Sequence, residues 1–184
     1  MENVKRIDRK LKYKGTILEF YEDTMQMPNG TTAKWDFLHH NGAAAVIPVD
    51  NDGKIFMVSQ YRPGVEKMSL EIPAGCLNKG EDRMTAAARE LEEEIGQKCG
   101  RIEPLLKFHS AFAYCDEYIE IFYATDFQPT KQNLDEDEYL EVQKYDLDDL
   151  LHRIFSGEIS DSKTIAAILA YKEKYVNRPS DKLR

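Results

Sequence analysis

Residues 82–95 carry the clearest helix signal in the chain, and they also hold its densest group of carboxylates. Apolar side chains recur there every three or four residues, at Ala87, Ala88, Leu91 and Ile95. Asp82 is a residue type favoured at the N-cap, and Gly96 stands where helices commonly end in a left-handed conformation. The pattern predicts an amphipathic helix that packs its apolar face against a core.

The rest of the chain alternates strand and helix signals, which indicates a mixed α/β fold. Strands are predicted at residues 16–22, 32–38, 43–49, 54–61, 104–109, 118–125 and 139–145, and further helices at 147–155 and 161–175. Residues 43–49 are almost entirely apolar, as in a strand buried on both faces, and residues 50–53 predict a hairpin turn. Gly42 begins this better-defined body. We therefore expect a β-rich extension at residues 1–41 and the main domain at residues 42–184.

The composition excludes several classes of protein. With 184 residues, 42% of them hydrophobic, the chain can bury one core and is not expected to be disordered. No apolar run approaches the roughly 20 residues that span a bilayer, and the charged N-terminus does not resemble a secretory signal. The net charge of −8 without a basic patch argues against nucleic acid as a partner. Three cysteines without paired spacing argue against a disulfide framework, so we expect a cytoplasmic protein.

Three glutamates of the predicted helix, Glu90, Glu93 and Glu94, fall on one side of it because of their spacing. They crowd its C-terminal half, where the helix dipole disfavours negative charge, and Arg89 is the only cation among them. A divalent cation would turn this repulsion into binding, since Mg²⁺ takes carboxylate oxygens and keeps several waters. The alternative is a solvated acidic face, the usual fate of such a run. The glycine-bracketed loop that ends at Glu81 favours the metal site, because it would close a cup of oxygen atoms over the helix.

This spacing resembles the Nudix box, the signature of enzymes that hydrolyse a nucleoside diphosphate linked to another moiety. The matching residues are Gly75, Glu81, Arg89, Glu90, Leu91, Glu93, Glu94 and Gly96. One position departs, because Gln97 stands where the family prefers an aliphatic residue. The resemblance implies an α/β/α sandwich with a mixed sheet, to which the N-terminal β-rich extension is added.

Further segments resemble the ADP-ribose pyrophosphatase branch of that family. They are residues 42–49 (GAAAVIPV), 60–62 (QYR), 71–75 (EIPAG), 135–138 (DEDE) with Val142, and 157–165 (GEISDSKTI). In that branch the N-terminal extension pairs with a partner subunit, so the resemblance implies a homodimer with composite active sites. It also implies Mg²⁺, with Mn²⁺ as an alternative, as the cofactor.

The resemblance assigns roles to individual residues. The metal ligands would be Glu90, Glu94, Glu138 and the backbone carbonyl of Ala74. Glu93 would hold a metal-bound water or a further metal, and it forms the catalytic group together with Arg89 and Glu136. Arg62 would face the substrate diphosphate, Glu117 would lie near the terminal ribose, and Glu136 is the candidate general base. The alternatives are that Arg62 forms a salt bridge at the rim and that residues 135–138 are an acidic surface loop.

Two further residues are candidates for substrate binding. Trp35, the sole tryptophan, could stack on adenine, although core packing or a dimer contact is an equal alternative. Cys76 lies in the loop after Gly75, although nothing indicates an activated thiolate.

The substrate is less constrained than the chemistry. The branch usually carries Ser-Pro-Gly before the carboxylate at Glu117, whereas residues 111–113 here are Ala-Phe-Ala. We expect hydrolysis of ADP-ribose to AMP and ribose 5-phosphate. The alternatives are another nucleotide sugar or dinucleotide, such as GDP-mannose, ADP-glucose or FAD, or a non-catalytic module that senses a nucleotide.

Overall fold

The computed structural model describes residues 3–134, 136 and 138–177 of the chain. It divides into two compact units: residues 1–42 together with 109–118, and residues 43–108 together with 119–184. The first boundary falls beside Gly42, where the sequence places the start of the main domain. The inclusion of residues 109–118 in the first unit has no counterpart in the sequence pattern.

The first unit is built on an antiparallel three-stranded sheet in the order β1-β2-β3. Its strands are β1 (Lys5–Lys14), β2 (Leu18–Gln26) and β3 (Thr32–His40). The sequence did not predict β1, because its ten residues are dominated by charged side chains and nearly all are exposed, so burial imposes no alternation. Residues 109–118 attach to this sheet at Leu38, whose N–H donates to the Tyr114 carbonyl at 2.7 Å.

The second unit contains two sheets, one of three strands in the order β10-β5-β6 and one of four in the order β7-β4-β9-β8. The strands are β4 (Ala43–Pro48), β5 (Ile55–Arg62), β6 (Lys67–Glu71), β7 (Ala74–Cys76), β8 (Gln97–His109), β9 (Tyr118–Pro129) and β10 (Leu140–Tyr145). All six residues of β4 are buried, which confirms the expectation of a strand covered on both faces. Because β4 runs parallel to β9 while its other neighbour, β7, is antiparallel, the mixed sheet and the α/β class are confirmed.

The turn at residues 50–53 does not join a true hairpin. Its two flanking strands, β4 and β5, lie in different sheets and meet only at a single bridge between Val49 and Ile55. The predicted turn is present and closes one antiparallel bridge, but the two strands do not continue as a paired hairpin. The fully apolar β4 is drawn into the centre of the four-stranded sheet, and this leaves β5 to pair with β10 and β6.

Three α-helices belong to the second unit: α1 (Arg83–Ile95), α2 (Leu147–Phe155) and α3 (Ser162–Tyr171). The prediction of α1 is confirmed at both ends, because Asp82 accepts a hydrogen bond from the Thr85 N–H and Gly96 has a φ of 63°. The prediction of α2 is also confirmed. α3 passes into a π-helical turn over Lys172–Asn177, so the predicted helix at residues 161–175 is present in two parts. No helix among the described residues is long and apolar enough to cross a membrane.

Candidate active site

The fold buries two of the three helix glutamates. Glu90 is 8% exposed and Glu94 is 2% exposed, since both side chains turn inward beside Leu91 of the core. A solvated acidic face is therefore excluded for this pair. Glu93 lies further round the helix and its side chain remains 34% exposed.

Burial and mutual repulsion set the protonation of this pair. The pKa of Glu94 is raised to about 8, first by burial and then by the negative charges of Glu90 and Glu138. The pKa of Glu90 is also raised, again chiefly by burial. Two buried carboxylates side by side are unstable as anions unless a positive charge compensates them.

Arg89 supplies part of that positive charge and links the helix to the preceding loop. Its Nε and Nη2 donate to the two oxygens of Glu81 at 2.8 and 3.0 Å, and Nη1 donates to Glu90 at 2.7 Å and Glu93 at 2.8 Å. Nη2 also donates to the Cys76 carbonyl at 3.3 Å. The guanidinium lowers the pKa of Glu81 to about 2. Arg89 thus holds Glu81 and the 76–81 loop against the carboxylate helix.

The short strand β7 passes directly over the buried carboxylates. The Ala74 N–H donates to Glu94 Oε2 at 3.2 Å, so this backbone group lies beside the pair. Gly75 follows at the closest approach, because a Cβ at this position would overlap the Glu90 carboxylate. A residue with any side chain cannot take this position unless Glu90 moves.

Arg62 is bound to a buried carboxylate and not to one at the rim. Its Nε and Nη2 donate to Glu71 Oε1 and Oε2 at 2.9 and 2.8 Å, while the Glu71 side chain is only 3% exposed. Lys163 Nζ donates to Glu71 Oε2, the oxygen that Arg62 Nη2 also contacts, and to Asp161 at 3.0 Å. The cations Arg62 and Lys163 outweigh burial and lower the pKa of Glu71 to about 2.

A cavity of about 360 Å³ opens beside this network. Its lining includes Arg62 and Lys163, together with the hydroxyl-bearing residues Ser69, Ser160 and Ser162. The negative charge of Glu94 also acts on Arg62, which places the guanidinium within electrostatic reach of the carboxylate pair.

From the sequence, residues 71–75 and 157–165 supported only the family resemblance, and no role was predicted for Glu71 or Lys163. The sequence does offer a clue, because one segment contains an acidic residue and the other contains a lysine. Only the tertiary fold shows that these side chains meet.

Glu138 lies near the carboxylate pair, since its charge raises the pKa of Glu94. It also lines a cavity of about 300 Å³ together with Met68, Leu134 and Tyr139. Glu136 is exposed on the same loop. Asp135 and Asp137, the other acidic residues that the sequence singled out here, lie outside the described residues.

Trp35 and Glu117 belong to the first unit and are described there. Trp35 is 47% exposed on β3, so core packing is excluded for its ring. Glu117 accepts a hydrogen bond from the Ser110 hydroxyl, and its Oε1 lies 3.5 Å from His40 Nδ1. The Glu117 carboxylate is therefore held on two sides within this unit.

The donor set around α1 fits a hard divalent cation. Among residues 3–134, 136 and 138–177, no three His, Cys, Asp or Glu side chains converge to hold a metal ion. Mg²⁺ does not need such a cage, because it commonly binds through one or two carboxylates and completes its shell with waters and substrate phosphates. The buried pair Glu90 and Glu94, whose charge is only partly compensated by Arg89, provides such carboxylates.

The fold and this site define a mixed α/β protein in which helix α1 packs a pair of buried carboxylates against Gly75 of strand β7. Residues 39–168 match the NUDIX domain family. The chain is 42% identical over 159 residues, 85% of each chain, to the methanol dehydrogenase activator of Bacillus methanolicus. It is 37% identical over 166 residues to the ADP-ribose pyrophosphatase of Bacillus subtilis, covering 89% of this chain and 90% of the relative.

An ADP-ribose pyrophosphatase of Mycobacterium tuberculosis is 31% identical over 159 residues, covering 85% of this chain and 77% of the relative. The crystal structure of an ADP compounds hydrolase superposes with a TM-score of 0.87 over 97% of both chains, at 20% identity. That likeness establishes the shared fold. The chain belongs to the NUDIX domain family.

Proposed function

We propose that this protein hydrolyses the diphosphate bond of ADP-ribose to AMP and ribose 5-phosphate, with Mg²⁺ as cofactor. The observation that carries the proposal is the buried pair Glu90 and Glu94 beside Gly75, in a chain of this family. Similarity to two ADP-ribose pyrophosphatases over most of the chain supports the choice of substrate.

Mg²⁺ would be held by Glu90 and Glu94, with the Ala74 carbonyl and Glu138 as further ligands. When bound, it would neutralise the diphosphate and lower the pKa of a bound water. The chain prepares this site by desolvating the two carboxylates before any cation arrives. Glu90 and Glu94 therefore give up little hydration when the cation binds.

Arg62 has the geometry to receive the diphosphate. Glu71 engages its Nε and Nη2, and no hydrogen bond of Nη1 falls within the described part of the chain. The Arg62 side chain is 39% exposed and lines the cavity of about 360 Å³, where phosphate oxygens can reach it. A fork that is fixed on one edge and open on the other orients an anion with little further loss of entropy.

The attacking water needs a base, and Glu136 is our candidate for it. The water adds to phosphorus as its proton passes to the carboxylate, and the bond from phosphorus to the bridging oxygen breaks. Glu136 is exposed, as a residue on a loop that meets incoming substrate would be. Glu93 and Arg89 support the reaction by holding the helix end and the 76–81 loop together.

We further propose a cytoplasmic homodimer that forms through residues 1–41. Apolar side chains stand exposed on the N-terminal sheet, including Ile7, Leu11 and Tyr13 of β1. Trp35 and Glu117 would then act on the nucleobase and the terminal ribose, respectively. Cys76 would help to form the substrate site through its backbone, because its carbonyl accepts a hydrogen bond from Arg89.

The decisive experiment is hydrolysis of a panel of compounds with Mg²⁺, with Mn²⁺ and with EDTA. The panel holds ADP-ribose, ADP-glucose, GDP-mannose, UDP-glucose, NADH and FAD, and a phosphomonoesterase releases phosphate from the products. We expect metal-dependent turnover with ADP-ribose preferred. Preference for another compound would assign specificity to residues 111–115, and no turnover would favour a nucleotide-sensing module.

A second candidate function is activation of a methanol dehydrogenase. The observation that favours it is the 42% identity to a protein of that name. Addition of this protein to a methanol dehydrogenase assay tests it. Stimulation that disappears in Glu94→Gln would indicate that activation depends on the same carboxylates, whereas no stimulation would exclude this candidate.

A further inference from the structure

The first turn of α3 contacts the segment that leads into β7, although the proposed chemistry gives it no role. Asp161 caps the helix by accepting from the Thr164 N–H at 2.9 Å. Lys163 and Thr164, on the same turn, both reach the segment 71–75. This turn comes from residues 157–165, far along the chain from that segment.

Thr164 holds the middle of the segment. Its side chain is fully buried, and its hydroxyl oxygen accepts a hydrogen bond from the Ile72 N–H at 3.0 Å. The Val46 N–H bonds the Pro73 carbonyl at 2.9 Å, and the Ala74 N–H bonds Glu94. Consecutive residues of the segment are therefore fixed, and Thr164 provides the contact from α3.

Lys163 holds the beginning of the segment. It donates to Glu71, the same carboxylate that clamps Arg62, and to Asp161. The Lys163 side chain is only 12% exposed. The ammonium group of Lys163 is therefore engaged by two carboxylates.

We propose that Lys163 and Thr164 are positioning residues for the active site. Lys163 fixes Glu71 and through it the direction of the Arg62 fork. Thr164 fixes Ile72 and through it the approach of Ala74 and Gly75 to the carboxylate pair. The kinetic part of this inference rests on the proposed hydrolysis, whereas the structural part can be measured without substrate.

The test of Thr164 uses one variant that removes the hydroxyl and one that keeps it. Thr164→Val keeps the shape and leaves the Ile72 N–H without an acceptor, while Thr164→Ser keeps the hydroxyl. We expect faster hydrogen exchange of the Ile72 amide in the valine variant and a loss of about tenfold in kcat. The serine variant should restore both to within about twofold. Equal kinetics and equal exchange in the two variants would overturn this role.

The test of Lys163 compares Lys163→Met with Lys54→Met. Lys54 also pairs with a carboxylate, Asp146, but both groups are exposed at the surface. We expect Lys163→Met to raise KM for ADP-ribose about tenfold with a much smaller change in kcat, since Arg62 would act in binding. The Nε–H resonance of Arg62 should exchange faster with water in Lys163→Met and remain unchanged in Lys54→Met.

The two proposals fail in different ways. If the wild-type protein hydrolyses nothing in the panel, the proposed function is wrong, and the Ile72 and Arg62 signals still decide the positioning roles. If the wild type is active but Lys163→Met matches Lys54→Met in KM and in the Arg62 resonance, the role of Lys163 is overturned. Should Thr164→Val fail to fold, Lys163→Met carries the test.

Discussion

Gly75 lies so close to the Glu90 carboxylate that a Cβ at position 75 would overlap its oxygen atoms. We therefore expect Gly75→Ala to displace Glu90 and to reduce kcat at least about tenfold. The loss of thermal stability caused by Gly75→Ala should be smaller in a Glu90→Ala background, where the overlap is absent. A double-mutant cycle on the thermal unfolding midpoint measures this coupling, and additive effects would contradict the contact.

Glu94→Gln should abolish most of the hydrolysis while the fold is retained. The amide keeps the shape of the carboxylate but cannot offer an anionic oxygen to a cation. We expect a loss of about 10²-fold or more in kcat, with unchanged circular dichroism. Glu92→Gln, two residues along α1 from each member of the pair and not buried, is the matched control. Turnover in Glu94→Gln close to that of the wild type would disprove the metal assignment.

The stability of the metal-free protein should fall as the pH rises from about 4.5 to about 8. The pKa of Glu94 in the folded protein is about 8, so folding retains a proton that the unfolded chain releases near 4.5. The free energy of unfolding should therefore decline by at most about 1.4 kcal/mol per pH unit from this group. Chemical denaturation in EDTA across this range measures it. Glu94→Gln should flatten the dependence, and Glu92→Gln should not.

Glu71 should have the opposite effect at acidic pH. Its pKa is about 2 in the folded protein, so its contribution is complete above about 4.5 and is lost as the pH falls toward 2. The contribution is about 3 kcal/mol. Glu71→Gln should be less stable than the wild type at pH 7 and approach it near pH 2. Glu141→Gln, an exposed residue of β10, serves as control, and parallel pH curves for all three proteins would refute the prediction.

Glu136→Gln should change the pH dependence of turnover if Glu136 is the general base. We expect a loss of about 10²-fold in kcat and the disappearance of the acidic limb of the pH–rate profile. Binding of substrate should change little, because the amide retains size and polarity. An unaltered profile would assign the base to another carboxylate, for which Glu93 is the next variant to measure.

Local sequence patterns predicted much of the fold. The N-cap at Asp82 and the glycine at position 96 defined α1, since both ends of a helix depend on nearby residues. The burial of β4 was predicted as well, because a continuous apolar run is also a local feature of the sequence. In contrast, β1 escaped prediction because its exposed, charged residues are held by pairing with β2 and not by burial.

The candidate site was also predicted only in part. The spacing along α1 placed Glu90 and Glu94 on one side of the helix, but it did not decide between a buried pair and a solvated face. Whether the pair is buried depended on which elements cover the helix, because burial results from the packing of all the elements of the unit. The link from Lys163 to Glu71 joins residues 92 positions apart, and no local pattern encodes such a contact.

The sequence by itself determined the carboxylate helix, the glycine-bracketed loop before it and membership in a family, because these depend on residue types at fixed short spacings. The tertiary structure alone decided that Glu94 is buried with a raised pKa and that Arg62 is clamped by Glu71. It also decided that the first turn of α3 holds the segment over the site. Desolvation and long-range contacts arise only when distant segments pack together, and they set the charge and the direction of the side chains at the site.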